Sequence, residues 1–235
     1  MKLTGMMAGL LAACVSTWAY AAPPLASEGF GNVAALTTSG WVFTNSSAPA
    51  GQAWFQGNSG IFAAQAGPDD SYIAANFNST TAASGTVDNW LISPEFSAGS
   101  GSSLSFFTRA SDAGFLDKIE VRFSSGASSD LASFSTLLGT VGSAITASYP
   151  TNGWMQVTLA LPNAASGRLA FHYTVANAMD ASYVGIDSMM ITAVPESATL
   201  LMLGLGLAVV GGARRRRAVA PIDPIAPIVI SQPTA

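Results

Sequence analysis

Between residues 27 and 193 apolar side chains recur at every second position, the period of a strand with one buried face. Lys118 to Ser124 is the clearest run. Ile119, Val121 and Phe123 fall on one side of it, and Lys118, Glu120 and Arg122 on the other. Met155, Val157, Leu159 and Leu161 alternate with Gln156, Thr158 and Ala160. Leu169, Phe171, Tyr173 and Val175 alternate with Arg168, Ala170, His172 and Thr174. Shorter runs cover Gly40 to Phe43, Ala53 to Gln56, Tyr72 to Phe77, Asn89 to Ile92, Ser103 to Arg109 and Tyr183 to Thr192. Clusters of Gly, Ser, Asn and Pro separate them. Helical periodicity is almost absent, apart from a short helical turn expected at Asp130 to Leu138. Eight or nine short strands with one apolar face predict an all-β sandwich around a single core.

The two ends follow other rules. Lys2, an apolar run from Leu3 to Val15 and the small residues Ala19 and Ala21 make a secretory signal peptide over 1–21. A second reading takes Leu11-Ala12-Ala13-Cys14 as a lipobox, with Cys14 lipidated. Near the other end, Val194-Pro195-Glu196-Ser197 precedes an apolar stretch, Ala198 to Ala213, and then Arg214, Arg215, Arg216 and Arg217. As a helix the stretch spans about 24 Å, slightly short of a bilayer core of about 30 Å. Arginines beside such a helix stay in the cytoplasm, which places the 22–193 domain outside it. Residues 218–235, rich in Pro and Ile, read as a disordered tail.

Charge changes the picture once it is divided among these segments. Residues 22–193 hold four bases, Arg109, Lys118, Arg122 and Arg168, against eleven acids, a net charge of −7. An acidic domain repels phosphate backbones, so no nucleic-acid partner is expected. Cys14 is the only cysteine, so the domain carries no disulfide.

Candidate chemistry is sparse. His172 is the only histidine and lies in mid-strand. No nucleophile motif accompanies it, and zinc or Cys–His sites lack partners. Asp69, Asp70, Asp88 and Asp112 could supply a carboxylate pair, but any eleven acids allow one. Asp69-Asp70 after Gly67-Pro68 reads as a solvated turn. The chain is therefore expected not to be an enzyme. Trp41, Trp54, Trp90 and Trp154 read as core residues rather than a sugar-stacking surface.

Two resemblances refine this. The order Pro195-Glu196, apolar helix, Arg214 to Arg217 resembles the PEP-CTERM sorting signal of Gram-negative bacteria, over 194–217. It departs from it in Ser197, where the signal usually has Pro, and in continuing past the arginines. The resemblance implies an exosortase as processing partner and only transient contact with the inner membrane. It also implies a cell-surface or matrix location in company with exopolysaccharide. Asp88-Asn89-Trp90-Leu91-Ile92-Ser93-Pro94 resembles the signature of the choice-of-anchor J domain, related to cleaved-adhesin and MAM-type jelly rolls. Glu28-Gly29-Phe30, Gly40-Trp41, Trp154-Met155-Gln156-Val157 and Gly185-Ile186-Asp187 follow in the order of that family. The resemblance implies a jelly-roll β-sandwich and a structural Ca²⁺ held by Glu28 and Asp187 with backbone carbonyls. The function expected is that of a non-catalytic surface or biofilm-matrix protein, adhesive or exopolysaccharide-associated. The alternatives are a carbohydrate-binding module, which an exposed aromatic pair flanked by Asn or Asp would favour, and an extracellular hydrolase.

Overall fold

The computed structural model describes residues 24–99, 101–142 and 148–193. The signal peptide over 1–21 and the sorting signal over 194–217, with Pro195, Glu196 and Arg214 to Arg217, lie outside the described residues, as does the tail over 218–235.

Twelve strands run through the described residues: β1 (Ala26–Glu28), β2 (Val42–Asn45), β3 (Phe55–Gln56), β4 (Ile73–Asn76), β5 (Val87–Ile92), β6 (Phe96–Ala98), β7 (Ser103–Ala110), β8 (Ile119–Ser125), β9 (Thr136–Val141), β10 (Met155–Ala160), β11 (Ala164–Val175) and β12 (Tyr183–Thr192). They form two antiparallel sheets. One has the order β10-β7-β12-β4-β3, and the other β2-β5-β11-β8-β9. The long strands β12 and β11 each have two neighbours on one edge. β4 and β1 share β12, and β5 and β6 share β11.

Alternation sets the faces. Along β8, Ile119, Val121 and Phe123 are buried, as their spacing predicts. Along β11, Leu169, Phe171, Tyr173 and Val175 are buried, and along β7, Leu104 and Phe106. These side chains meet between the sheets. Phe106 of one sheet touches Phe171 of the other edge-on, with ring centroids 5.0 Å apart. Fully burying one such side chain contributes about 1.5–3 kcal/mol.

Two smaller clusters sit on the outer faces. Trp90 stacks on His172 at 3.8 Å on one sheet. On the other, Phe62, Tyr72 and Tyr183 pack together with Trp154. The 57–71 loop brings Phe62 there, and Gly185 gives it room. A Cβ on Gly185 would stand about 3 Å from Tyr72, Trp154 and Phe62, too close for any larger residue to sit unmoved.

The helical turn expected at Asp130 to Leu138 is only a 3-10 turn, Leu131–Ser133, and β9 follows it. Leu137 and Leu138 sit on an edge strand, where one side stays exposed or half-buried, so the apolar pair carries no clean alternation.

Candidate functional site

At one end of the sandwich three loops and the tip of a fourth surround a groove of about 780 Å³. The first loop leaves β4. The Asn76 side chain accepts from the Asn78 amide at 2.9 Å and starts the 3-10 turn Phe77–Ser79. That local bond is typical of Asn and turns the chain away from the sheet. Phe77 is left 49% exposed. The second loop leaves β7 and carries Ser111, Asp112 and Phe115. Its end is tied down by the Leu116 amide donating to Asp180 O at 2.7 Å. The third is the 3-10 turn Ala178–Asp180, capped by Asn177, whose side chain accepts from the Met179 amide at 3.0 Å. It points Met179 outward, 68% exposed. Ile61, from the 57–71 loop, adds a further apolar wall.

Phe77 and Phe115 stack on no other ring among the described residues, although both are large and exposed. Around them stand the amides of Asn76 and Asn78, the hydroxyl of Thr81 and the carboxylate of Asp112. Asp112 Oδ2 accepts from Ser111 Oγ at 2.6 Å and Ser182 Oγ at 3.3 Å. Beneath, Asp117 is 2% exposed. Its Oδ1 accepts from Tyr173 Oη at 2.5 Å and the Ser182 amide at 2.9 Å, and its Oδ2 has no partner among the described residues. Burial raises the Asp117 carboxyl above the ordinary value, although the Tyr173 and Ser182 bonds favour its charged form. Apolar walls with a few fixed polar groups are the ordinary makeup of a small-molecule site. The described lining thus sets apolar walls beside a small number of oriented polar groups.

Glu28 and Asp187 are brought to neighbouring strands, with Glu28 opposite Met189 in the register of β1 and β12. The faces differ. Met189 is a core residue, so Glu28 belongs to the inner side of the sheet. Asp187 pairs with Phe107 and follows Gly185 on the outer side. A bulge with Ser188 at φ 49 separates the two registers. The buried Asp187 carboxylate is engaged by donors. Its Oδ2 accepts from the amides of Gln65 and Ala66 at 2.8 and 3.1 Å, and its Oδ1 from the Ser188 amide and hydroxyl at 2.5 and 3.2 Å. Burial raises this carboxyl too, against those same bonds.

Three nearby carbonyls face the side-chain amide of Gln56. Gln56 Nε2 donates to Phe30 O at 2.9 Å and Asp70 O at 2.7 Å, with Tyr72 O at 3.4 Å, while Gln56 Oε1 accepts from the Val33 amide at 2.8 Å. Calcium needs six to eight free oxygens around one point. As placed, Glu28 and Asp187 do not converge on one point: the two carboxylates face opposite sides of the sheet.

His172 lies on the outer face of its sheet. Its Nε2 is 2.8 Å from Asp88 Oδ1, and its Nδ1 3.5 Å from Glu120 Oε2. Asp88 also accepts from Trp90 Nε1 at 2.5 Å, a bond between two side chains on the outer face of β5. Burial holds His172 below its usual value in spite of the two carboxylates. Trp41, Trp54 and Trp90 are buried, so they are structural, as expected; Trp154 is half-buried and donates to Ala63 O at 2.9 Å.

Sequence reasoning missed the groove. The spacing predicts Phe77 as the end of a strand, and Phe115 and Met179 lie between the predicted strands. An unpatterned aromatic between turn residues was the only signal available.

By sequence the chain matches no protein-family model and no curated protein. Its structure is similar to the K1 cleaved adhesin domain of Lys-gingipain from Porphyromonas gingivalis W83. That likeness has a TM-score of 0.55 and 24% identity, and covers 72% of this chain and 98% of that one. It is also similar to the K3 cleaved adhesin domain of the same protein and organism, with a TM-score of 0.54 and 22% identity over 72% and 98% of the two chains. The K2 cleaved adhesin domain of Lys-gingipain follows with a TM-score of 0.52 and 18% identity, over 71% and 98%. These likenesses show the fold alone: the described domain is a β-sandwich similar in fold to those three domains.

Proposed function

We propose that this chain is an exported, non-catalytic surface protein whose end groove holds a glycan. One observation carries the reading: two exposed phenyl rings, Phe77 and Phe115, flank Asn76, Asn78 and Asp112 in one groove. Sugar rings have an apolar face of C–H groups and an equatorial rim of hydroxyls. A phenyl ring covers the first, and side-chain amides and a carboxylate pair with the second. Delivery rests on the two ends of the chain. The signal peptide over 1–21 carries it across the inner membrane. An exosortase then acts near Pro195 and Glu196, with the apolar helix held by Arg214 to Arg217 until processing. The product resides at the cell surface or in an exopolysaccharide matrix.

A glycan array tests the groove. The protein should bind a restricted set of glycans, and the Phe77→Ala/Phe115→Ala variant should lose at least tenfold in affinity, since truncating an anchoring aromatic costs about 2 kcal/mol. Undiminished binding by that variant would move the site elsewhere on the sandwich.

A further inference from the structure

We infer that the groove selects glycans carrying protonated amines, of the glucosamine type, over neutral and uronic acid glycans, with Asp112 as the residue that reads the charge. The inference rests on the reading of the groove as a glycan site and adds the chemical class of the ligand. Asp112 is the only charged side chain among the described lining residues. Its Oδ2 accepts from the Ser111 hydroxyl at 2.6 Å, and the Ser182 hydroxyl stands 2.9 Å from Ser111 Oγ and 3.3 Å from the same carboxylate oxygen, with Ser182 held through its amide by the buried Asp117. These contacts orient the carboxylate. Its Oδ1 has no partner among the described residues, and Asp112 is exposed at the groove wall.

No base answers this charge. Lys118, on the far side of Phe115, pairs with Glu120 at 3.2 Å. Arg122 pairs with the same Glu120 at 2.7 Å. Arg109 lies over the ring of Phe62 at 4.7 Å, on the outer face of its sheet. Arg168 donates to the carbonyls of Ala127 and Ser93. All four bases of the domain are thus committed away from the groove, and Asp180 adds a second acid beside it. An ammonium brings three donors and a positive charge to such a wall, and charge-assisted hydrogen bonds are the stronger class. A uronate brings only acceptors and a repelled charge.

The test uses three tetrasaccharide probes with the full-length protein: β-1,4-linked glucosamine, its fully N-acetylated counterpart and galacturonate. Calorimetry at low salt should show the glucosamine tetramer binding roughly tenfold tighter than the acetylated one, and galacturonate weakest. Added salt should shrink the margin. Asp112→Asn keeps acceptors for both serines and should keep the melting temperature. It should erase the margin, so that the glucosamine and acetylated tetramers bind alike. Phe77→Ala should weaken both, which separates groove binding from general attraction to an acidic protein. A margin that survives Asp112→Asn, or galacturonate binding as well as glucosamine, overturns the inference. Binding of other glycans by the groove with none of the three probes also overturns it while sparing the proposed function. Failure to bind any glycan removes both.

Discussion

Asp117 shows how much one buried residue couples. Its carboxyl ties Tyr173 of β11 to the start of β12 and stands under the groove. Burial raises its folded value above that of an unfolded aspartate, about 3.9. A carboxyl raised on folding stabilises the protein fully below the unfolded value, and that contribution is lost as pH rises through the folded value. Asp117→Asn keeps the acceptor that faces Tyr173 and Ser182 and removes the titration. Urea midpoints from pH 4 to 7 should therefore show the wild type losing ground steadily to this variant. A constant difference across that range would mean that the carboxyl is not perturbed. The role of Asp117 was not legible in the sequence, because nothing in the run Leu116-Asp117-Lys118 says that the aspartate points in and the lysine out. Asp112 was only one of several acids. Its importance comes from the serines and rings that folding brings around it.

Strands were more legible than sites, because alternation is recorded in the chain itself. In β8 the inward set Ile119, Val121 and Phe123 follows from spacing alone. Phe123 is 3% exposed, touches Phe96 at 6.3 Å between ring centroids, and rests over Gly167. Phe123→Ala should therefore cost about 3–5 kcal/mol in chemical denaturation. A loss below about 1 kcal/mol would mean that this face of β8 does not hold the core. β9 escaped notice because edge strands bury only part of each face. The Phe77–Ser79 and Ala178–Asp180 turns did so because side-chain caps such as Asn76 and Asn177 also occur in ordinary loops. Glu28 and Asp187 were legible as members of the first and last strands, which do pair. Their faces were not legible, since the bulge at Ser188 leaves no mark in the alternation.

At the scale of the molecule, two antiparallel sheets hold a continuous core, and one end carries an open groove with an acid on its wall. Glu28 and Asp187 lie on opposite faces of their sheet, and amide donors from Gln65, Ala66 and Ser188 already hold Asp187. EDTA should therefore leave the melting midpoint unchanged. A fall that Ca²⁺ restores, and that Asp187→Ala abolishes, would show this carboxylate exchanging its amide donors for a metal. The central claim, that ligand enters the end groove, is tested most directly by methyl NMR during titration with a glycan that binds on the array. Met179 and Ile61 report on the groove, and the exposed Met190 reports on the outer face of the same sheet. The account predicts saturable shifts at Met179 and Ile61 with Met190 unmoved. Shifts centred on Met190, with Met179 and Ile61 unchanged, would contradict it.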